Sequence, residues 1–338
     1  MMRAVVGTRD DCLARHNLRG MTMTDSSPVV TYANFARIET LRMFAAISAN
    51  AGGANRWNHY RVPTPIDQQT IIRMNRDTLY SAAIIDVSEG TTITIPETGG
   101  RYVSVMLVSE DHFINRVIHD AGEHHLTAAE LGSEFVLAAA RILVDSDDPD
   151  DVATVDALQD QFSLTSTGGR ELPALDYDAD SFAQTRDAVL TLAKGLTNFE
   201  HAFGPADQVD PVRHLLGTAS GWGGLPDQEA FYVNVEPGLP VGEYKLTVGE
   251  VPVDGFWSIS MYNAEGYFEA NDADRYSVNN VTGVRDADGS ITVRFGGDPS
   301  VPNALPLTEG WNYLVRLYRP RPEVLDGSWT FPSIEGAR

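Results

Sequence analysis

Six consecutive residues, Asn75-Arg-Asp-Thr-Leu-Tyr80, bring an amide, a guanidinium, a carboxylate and a phenol together. Arg76 could hold an anionic or carbonyl group through charge-assisted hydrogen bonds, while Asp77 or Tyr80 could act as acid or base. The structural alternative is a buried Arg76–Asp77 pair that fixes the turn, with Tyr80 in the core. Both interpretations stay open, because perturbed titratable groups occur in structural networks and in active sites. The candidate catalytic residues are therefore Arg76, Asp77 and Tyr80, and Asn75 is a candidate ligand-binding residue.

Histidines are concentrated between residues 112 and 125, with acidic residues among them. Imidazole and carboxylate are ligands of zinc and non-haem iron, and a β-sandwich can bring such strands together around a metal. The candidate metal ligands are His112, His119 and His124, and His112 is also a candidate for ligand binding. The spacing argues against a metal, because neighbouring His124 and His125 would point to opposite faces of a strand. Loop or surface histidines near a hairpin are the alternative, and the sequence identifies no cofactor.

Aromatic residues are frequent in the last third of the chain. They are typical of a second hydrophobic core, although aromatics at a domain junction could also line an apolar pocket. On that second interpretation, Trp257, Tyr262 and Arg316 are candidate ligand-binding residues. Ser258 lacks a Gly-x-Ser-x-Gly frame, so the sequence gives a serine hydrolase little support.

The elements that would position these residues are mainly strands. Apolar residues recur at helical spacing over residues 32–50, and Gly52 and Gly53 would end that helix. Residues 70–145 predict one antiparallel sheet system. Its predicted strands are 70–74, 81–87, 91–95, 102–108, 112–118 and 135–144. The alternation Thr-Ile-Thr-Ile at 92–95 is typical of a half-buried strand.

Residues 148–218 predict a helical layer. Clustered aspartates at 145–151 suit a helix N-cap, and a calcium loop is the alternative. A further helix is predicted over residues 180–201. The next predicted strands are 231–235, 242–247, 256–262, 290–295 and 311–318. Short strands joined by tight turns favour sandwiches or jelly rolls over alternating βαβ units.

The composition limits the partners. With 25 Lys and Arg against 47 Asp and Glu, the net charge of -22 would repel a phosphate backbone, so we expect no nucleic-acid partner. We expect no membrane partner either, because no apolar stretch approaches the roughly 20 residues of a spanning helix. Residues 1–28 lack the apolar run of a signal peptide and predict a disordered or mis-annotated extension whose deletion leaves stability unchanged. The expectation is a soluble, cytoplasmic protein.

Several motifs resemble those of one bacterial family. They are Asn75-Arg-Asp-Thr-Leu-Tyr80-Ser81, Gly100-Arg-Tyr102, and the segments 254–263, 266–268, 275–280, 310–320 and 325–329. In this order they resemble the family in which DUF1254 and DUF1214, two domains of unknown function, occur in tandem. The resemblance covers residues 32–335 and implies jelly-roll-like domains with an added helical region, but no particular reaction. Residues 111–125 stand where longer members have another strand region, so the chain resembles the short subtype.

The predicted fold is mainly β, with two jelly-roll-like β-sandwich domains, an inserted helical layer and an N-terminal amphipathic helix. The predicted boundaries are an extension at 1–28, a DUF1254-like domain at 29–147, the helical layer at 148–220 and a DUF1214-like domain at 221–338. One hypothesis is a small-molecule-binding protein or enzyme, with its polar site at the 75–80 motif in a cleft between the two β domains. The alternative is a non-catalytic, homo-oligomeric binding or structural protein that uses the motif as a lock.

Overall fold

The computed structural model describes residues 27–69 and 71–336, and the predictions for residues 1–26 lie outside this part of the chain. The described strands form four sheets, which pack as two pairs. Each pair encloses its own apolar cluster, and helices lie on the outside. The prediction of a mainly β protein with a few helices is therefore confirmed.

The first sheet pair contains the strands of the N-terminal half. In chain order they are β1 (Asn58–His59), β2 (Thr78–Asp86), β3 (Thr91–Ile95), β4 (Val103–Ser109), β5 (Ile114–Ile118), β6 (Gly122–Leu126), β7 (Phe135–Leu143) and β8 (Ser163–Ser166). One sheet has the order β1-β2-β7-β4-β5 and the other β6-β3-β8, with antiparallel neighbours. Alternate side chains, such as Ile93 and Val105, point into the cluster between the sheets. The strands predicted at 91–95, 102–108 and 135–144 are confirmed to within one residue.

The second sheet pair contains the C-terminal strands. They are β9 (Ala230–Val235), β10 (Tyr244–Val248), β11 (Trp257–Tyr262), β12 (Ser277–Asn279), β13 (Ile291–Phe295), β14 (Ala304–Leu305), β15 (Asn312–Tyr318) and β16 (Glu335–Gly336). The sheet orders are β12-β11-β15-β9 and β14-β13-β10-β16, and β13 pairs with β14 in parallel. Ile259, Val293 and Val315 are fully buried between these sheets. All five predicted strands of this half are confirmed to within two residues.

The helices begin and end at recognisable signals. They are α1 (Phe35–Ala51), α2 (Ala128–Leu131), α3 (Pro149–Gln159), α4 (Ala179–Ala193), α5 (Pro211–Ser220) and α6 (Pro322–Leu325). Gly52 ends α1 in the left-handed conformation, with φ of 75°, and Asp148 caps α3 by accepting a hydrogen bond from the Asp150 N–H. Over residues 27–69 and 71–336, none of the helices has the length and apolar character needed to cross a membrane.

Three secondary-structure predictions were wrong. Residues 71–73 form a turn rather than a strand, and the Arg73 N–H donates to the Gly266 carbonyl at 2.7 Å; residue 70 itself is not described. Residues 148–220 are not wholly helical, because β8 pairs Leu164 with Ile93 of β3. The helix predicted to reach residue 201 ends at Ala193, where the chain turns.

The two sheet pairs also pack against each other. A third apolar cluster combines Ile84 and Leu137 from the first pair with Phe256 and Tyr318 from the second. The ring of Tyr102 lies 5.1 Å from the ring of Phe256 and 5.4 Å from that of Tyr318. This contact between the β1-β2-β7-β4-β5 and β12-β11-β15-β9 sheets, called the interface below, also contains the 75–80 motif.

Candidate functional site

Each of the two sheets that form the interface contributes one row of polar residues to it. Directly opposite one another on β2, β7 and β4 are Tyr80, Arg141 and Ser104. The corresponding row on β11, β15 and β9 is Ser258, Arg316 and Tyr232. Because side chains alternate along a strand, each row points away from its own apolar core. The two rows thus place two arginines in a largely buried layer.

Asn75 connects the two sheet pairs. Its Oδ1 accepts the Asp77 N–H at 2.9 Å, which fixes the orientation of the amide. Its Nδ2 then lies 3.1 Å from each of three hydroxyl oxygens, those of Thr78, Tyr80 and Tyr318. Tyr318 belongs to β15, so the candidate ligand-binding residue Asn75 acts first as a bridge across the interface.

Arg76 and Asp77 are both buried, but no salt bridge joins them. The Arg76 guanidinium donates to the Thr64 carbonyl at 3.0 Å and lies 5.1 Å from the ring centroid of Tyr276. The Asp77 carboxylate instead accepts the Ser258 hydroxyl at 2.6 Å, across the interface. The predicted Arg76–Asp77 pair is therefore wrong. The partner of Asp77 comes from a segment 181 residues away.

Asp77 lies in a closed environment, with only 1 % of its surface exposed. Burial raises the pKa of its carboxyl, although the Arg316 guanidinium and the Ser258 hydroxyl act in the opposite direction. Among the described residues, its Oδ1 has no hydrogen-bond partner. A substrate would have to displace the second sheet pair to reach this carboxylate, so the geometry favours a structural part for Asp77.

Arg316 is 3 % exposed and is hydrogen-bonded on several sides. It donates to Ser260 Oγ at 2.7 Å, to Tyr262 Oη at 2.8 Å, and to the carbonyls of Arg73 and Met74 at 2.8 and 3.1 Å. Tyr262 in turn donates to the Met74 carbonyl at 2.7 Å. The candidate ligand-binding residues Arg316 and Tyr262 therefore hold the chain segment that leads into the 75–80 motif.

Trp257 lies apart from these residues. It points into the core of the second sheet pair, with its ring 5.8 Å from that of Phe331. One edge borders an open cleft of about 490 Å³, which Glu250, Asn280 and Arg285 also line. The structure therefore does not bring Trp257 together with the other candidate ligand-binding residues.

Replacing Ser258 by alanine tests the partner of Asp77. Because the change removes the hydroxyl that hydrogen-bonds a buried carboxylate, we expect the free energy of unfolding in urea to fall by about 2 kcal/mol. Ser328→Ala, at an exposed serine, is the control and should change stability by less than about 0.5 kcal/mol. Equal stability of Ser258→Ala and wild type would show that Asp77 does not depend on this bond.

Arg141 differs from Arg316 because part of its guanidinium has no partner. It is 8 % exposed, its Nη2 donates to the Gly223 carbonyl at 3.0 Å, and it lies 5.4 Å from the ring centroid of Tyr80. Its Nη1 is buried without a hydrogen bond within the described part of the chain, as are Tyr102 Oη and Ser104 Oγ. Burial lowers the pKa of Arg141, but the oxygens of Tyr80 and neighbouring tyrosines raise it, so the guanidinium stays charged.

Tyr80 has the electrostatic character of an acid–base group. Burial raises the pKa of its phenol, but the Arg141 cation and the hydrogen bond from Asn75 outweigh burial and lower it overall. Burial raises the pKa values of Tyr102, Tyr232 and Tyr318 instead. Tyr80, Tyr102 and Tyr232 each keep part of their side chain exposed, so they lie at the border of the buried layer. Of the three candidate catalytic residues, Tyr80 is the one directly opposite Arg141, whose Nη1 has no partner among the described residues.

His112 fixes the position of Gly223 beside Arg141. It is fully buried, with φ of 66°, and its ring stacks on Trp222 at 5.4 Å. Its Nε2 accepts the Gly223 N–H at 3.0 Å, so the proton resides on Nδ1, which donates to Thr218 Oγ1 at 2.8 Å. Burial lowers its pKa to about 3, which keeps the ring neutral. His112 thus holds Gly223, the residue whose carbonyl binds Arg141.

The three candidate metal ligands lie in different environments. His119 bonds to the Val103 carbonyl at 2.8 Å and to Glu229 at 2.7 Å, while His124 lies on β6 and contacts Arg116 at 3.3 Å. His112 uses both ring nitrogens as described above. In the described ranges, no three His, Cys, Asp or Glu side chains are grouped in a way that could hold a metal ion. The structure therefore does not bring His112, His119 and His124 together.

Family models match both halves of the chain. The protein of unknown function DUF1254 matches residues 54–121, and the protein of unknown function DUF1214 matches residues 239–322. The chain therefore contains DUF1254 followed by DUF1214, two domains of unknown function in tandem. The DUF1254 match includes the 75–80 motif and Tyr102, and the DUF1214 match includes Ser258 and Arg316, so the interface joins the two matched regions.

One solved structure shows the same fold. The crystal structure of the VPA0106 protein from Vibrio parahaemolyticus is similar over 91% of this chain and 98% of its own, with a TM-score of 0.71 and 18% sequence identity. An uncharacterised protein from Burkholderia cenocepacia covers 90% of this chain and 87% of its own, with a TM-score of 0.48 and 15% identity. No curated protein matches the chain.

Proposed function

We propose that this protein binds a small molecule at the interface beside Arg141, with Tyr80 as the acid–base group should the bound molecule react. One observation carries the proposal: a buried, charged arginine has an unpartnered Nη1, next to the unpartnered hydroxyls of Tyr102 and Ser104. Leaving one buried polar group unsatisfied costs about 1–3 kcal/mol, and more if it is charged. Three such groups at one place support a site that a ligand completes.

This proposal shifts the site within the predicted cleft. Arg76 and Asp77 each have a partner elsewhere, at Thr64 and Ser258, although Arg76 Nε and Asp77 Oδ1 have no hydrogen bond among the described residues; Tyr80 stays in the site and is joined by Arg141. Hydrogen bonds such as those of Asp77 to Ser258 and of Arg316 to Met74 support the structural hypothesis for the rest of the motif. We therefore assign Asn75 and Asp77 to a lock between the sheet pairs, and Tyr80 to the binding site.

Two further expectations accompany the proposal. The first is that both sheet pairs follow a jelly-roll course, and the second is that the protein acts in the cytoplasm. Sub-cellular fractionation tests the location, and recovery with the membrane fraction would contradict it.

Tyr80 should ionise before the other interface tyrosines. In an alkaline titration followed by tyrosinate absorbance, Tyr80→Phe should remove the first tyrosine to ionise, because Arg141 and Asn75 stabilise the Tyr80 phenolate. The matched control is Tyr313→Phe, since burial raises the pKa of Tyr313 to about 12. Loss of the earliest transition in Tyr313→Phe, or its persistence in Tyr80→Phe, would contradict the assignment.

A thermal-shift screen against small molecules of mixed chemistry tests the binding site. A ligand present at 100 times its Kd stabilises the fold by about 2.7 kcal/mol, which gives a measurable rise in Tm. We expect molecules that stabilise wild type to lose this effect in Arg141→Met and to keep it in Arg294→Met. Arg294 lies on β13 and donates to the carbonyls of Thr292 and Pro302, remote from the interface rows.

Two milder variants keep the test decisive if Arg141→Met fails to fold. Tyr102→Phe and Ser104→Ala each remove one unpartnered hydroxyl and leave the arginine in place. Weaker stabilisation by the same molecules in these variants is the expected result. Undiminished stabilisation in the arginine variant and in both hydroxyl variants would overturn the proposed function.

A further inference from the structure

The interface has more buried positive than negative charge. Arg76, Arg141 and Arg316 are each at least nine-tenths buried there, and the one buried carboxylate among the described residues of the layer is Asp77. Asp77 interacts electrostatically with Arg316. The groups with the strongest electrostatic effect on Arg141 are tyrosines instead. A buried cation without a counter-charge is unfavourable, so the position beside Arg141 favours an anion.

The free hydrogen-bonding groups beside Arg141 match the oxygens of a carboxylate. Ser104 and Arg141 are opposite one another on β4 and β7, and Tyr102 directly precedes β4. Arg141 Nη1 can only donate, and the hydroxyls of Tyr102 and Ser104 can each donate one hydrogen bond. A carboxylate accepts several such bonds, and a guanidinium with hydroxyls binds it through charge-assisted hydrogen bonds. A neutral amide has a single acceptor oxygen for these donors and carries no charge to balance the guanidinium.

The surroundings of Arg141 favour a single charge on an apolar body. The rings of Tyr102, Phe256 and Tyr318 pack together, with the last two only 4.2 Å apart between centroids. A second anionic group would lie among these apolar rings, and Arg316 already has its partners. Aromatic side chains suit a flat apolar ligand. We therefore propose that the ligand is a small monocarboxylic acid with an apolar body; this inference rests on the proposed function.

Titration calorimetry with benzoate and benzamide tests the inference, because the two probes have the same ring and differ in charge. We expect wild type to bind benzoate about 10- to 100-fold more tightly than benzamide, as the loss of a charge-assisted hydrogen bond predicts. Arg141→Met should lose this preference, and Arg294→Met should keep it. Ser104→Ala and Tyr102→Phe should each weaken benzoate binding about tenfold, provided that the folded state is retained.

Three results would overturn the monocarboxylate. They are equal affinity for benzamide, displacement of benzoate by equimolar chloride or phosphate, and no binding of benzoate at all. In each case the proposed function is judged separately, by whether Arg141→Met abolishes the thermal shifts of other molecules. Benzoate binding that is unchanged in Arg141→Met, Ser104→Ala and Tyr102→Phe would place benzoate elsewhere and would also overturn the inference.

Discussion

Replacing Arg316 by methionine is expected to lower the free energy of unfolding by about 3–5 kcal/mol, the range for breaking a buried charge pair by removing one partner. The guanidinium donates to Ser260, to Tyr262 and to the carbonyls of Arg73 and Met74, and it is the cation that acts on Asp77. Methionine fills much of the same volume but removes the donor to Ser260 Oγ, Tyr262 Oη and the Arg73 carbonyl, and it leaves the Met74 carbonyl with only the Tyr262 hydroxyl. Urea denaturation of the variant and wild type gives the difference directly.

Arg294→Met is the control for the loss of an arginine from a strand of the same sheet pair. In wild type, the Arg294 guanidinium donates hydrogen bonds of 3.2 and 3.3 Å to the carbonyls of Thr292 and Pro302, and these bonds are partly exposed. We expect a change of less than about 1 kcal/mol. If Arg316→Met lost no more stability than this control, Arg316 would not be part of a lock between the sheet pairs.

Replacing Arg141 by methionine is expected to have the opposite effect. In the absence of ligand, it should raise the free energy of unfolding by about 1–2 kcal/mol, because an apolar side chain replaces a buried cation with an unpartnered Nη1. The hydrogen bond to Gly223 is lost as well, which limits the gain. Thermal and urea unfolding of extensively dialysed protein measure the effect. A decrease as large as that of Arg316→Met would make Arg141 a structural residue and would contradict its assignment to a binding site.

Much of the fold could be predicted because alternation and turn signals are local properties. The strand at Thr91–Ile95 was predicted with correct bounds, and the strands of the second sheet pair were close to theirs. β1, β8, β12, β14 and β16 were missed because two to four residues are too few to show a period, and the five-residue strand β6 was missed as well. The helix at Pro211–Ser220 was also missed, although Asp210 followed by Pro211 is a helix-start signal.

The candidate site was harder to predict because its partners come from distant segments. The structural alternative paired Arg76 with Asp77 because buried charges need partners, but consecutive residues of an extended chain point in opposite directions. Asp77 in fact meets Ser258, and Asn75 meets Tyr318. Arg141 was missed, yet a signal was present: a single charged residue within the apolar strand Phe135–Leu143 is a buried charge that needs a partner.

The most direct test of a ligand beside Arg141 is a crystal structure of the protein saturated with benzoate. We predict that the carboxylate lies within hydrogen-bond distance of Arg141 Nη1, with Tyr102 Oη and Ser104 Oγ as its other partners. A structure in which protein groups or ordered water alone satisfy Arg141 Nη1, with no benzoate at the interface, would contradict this account.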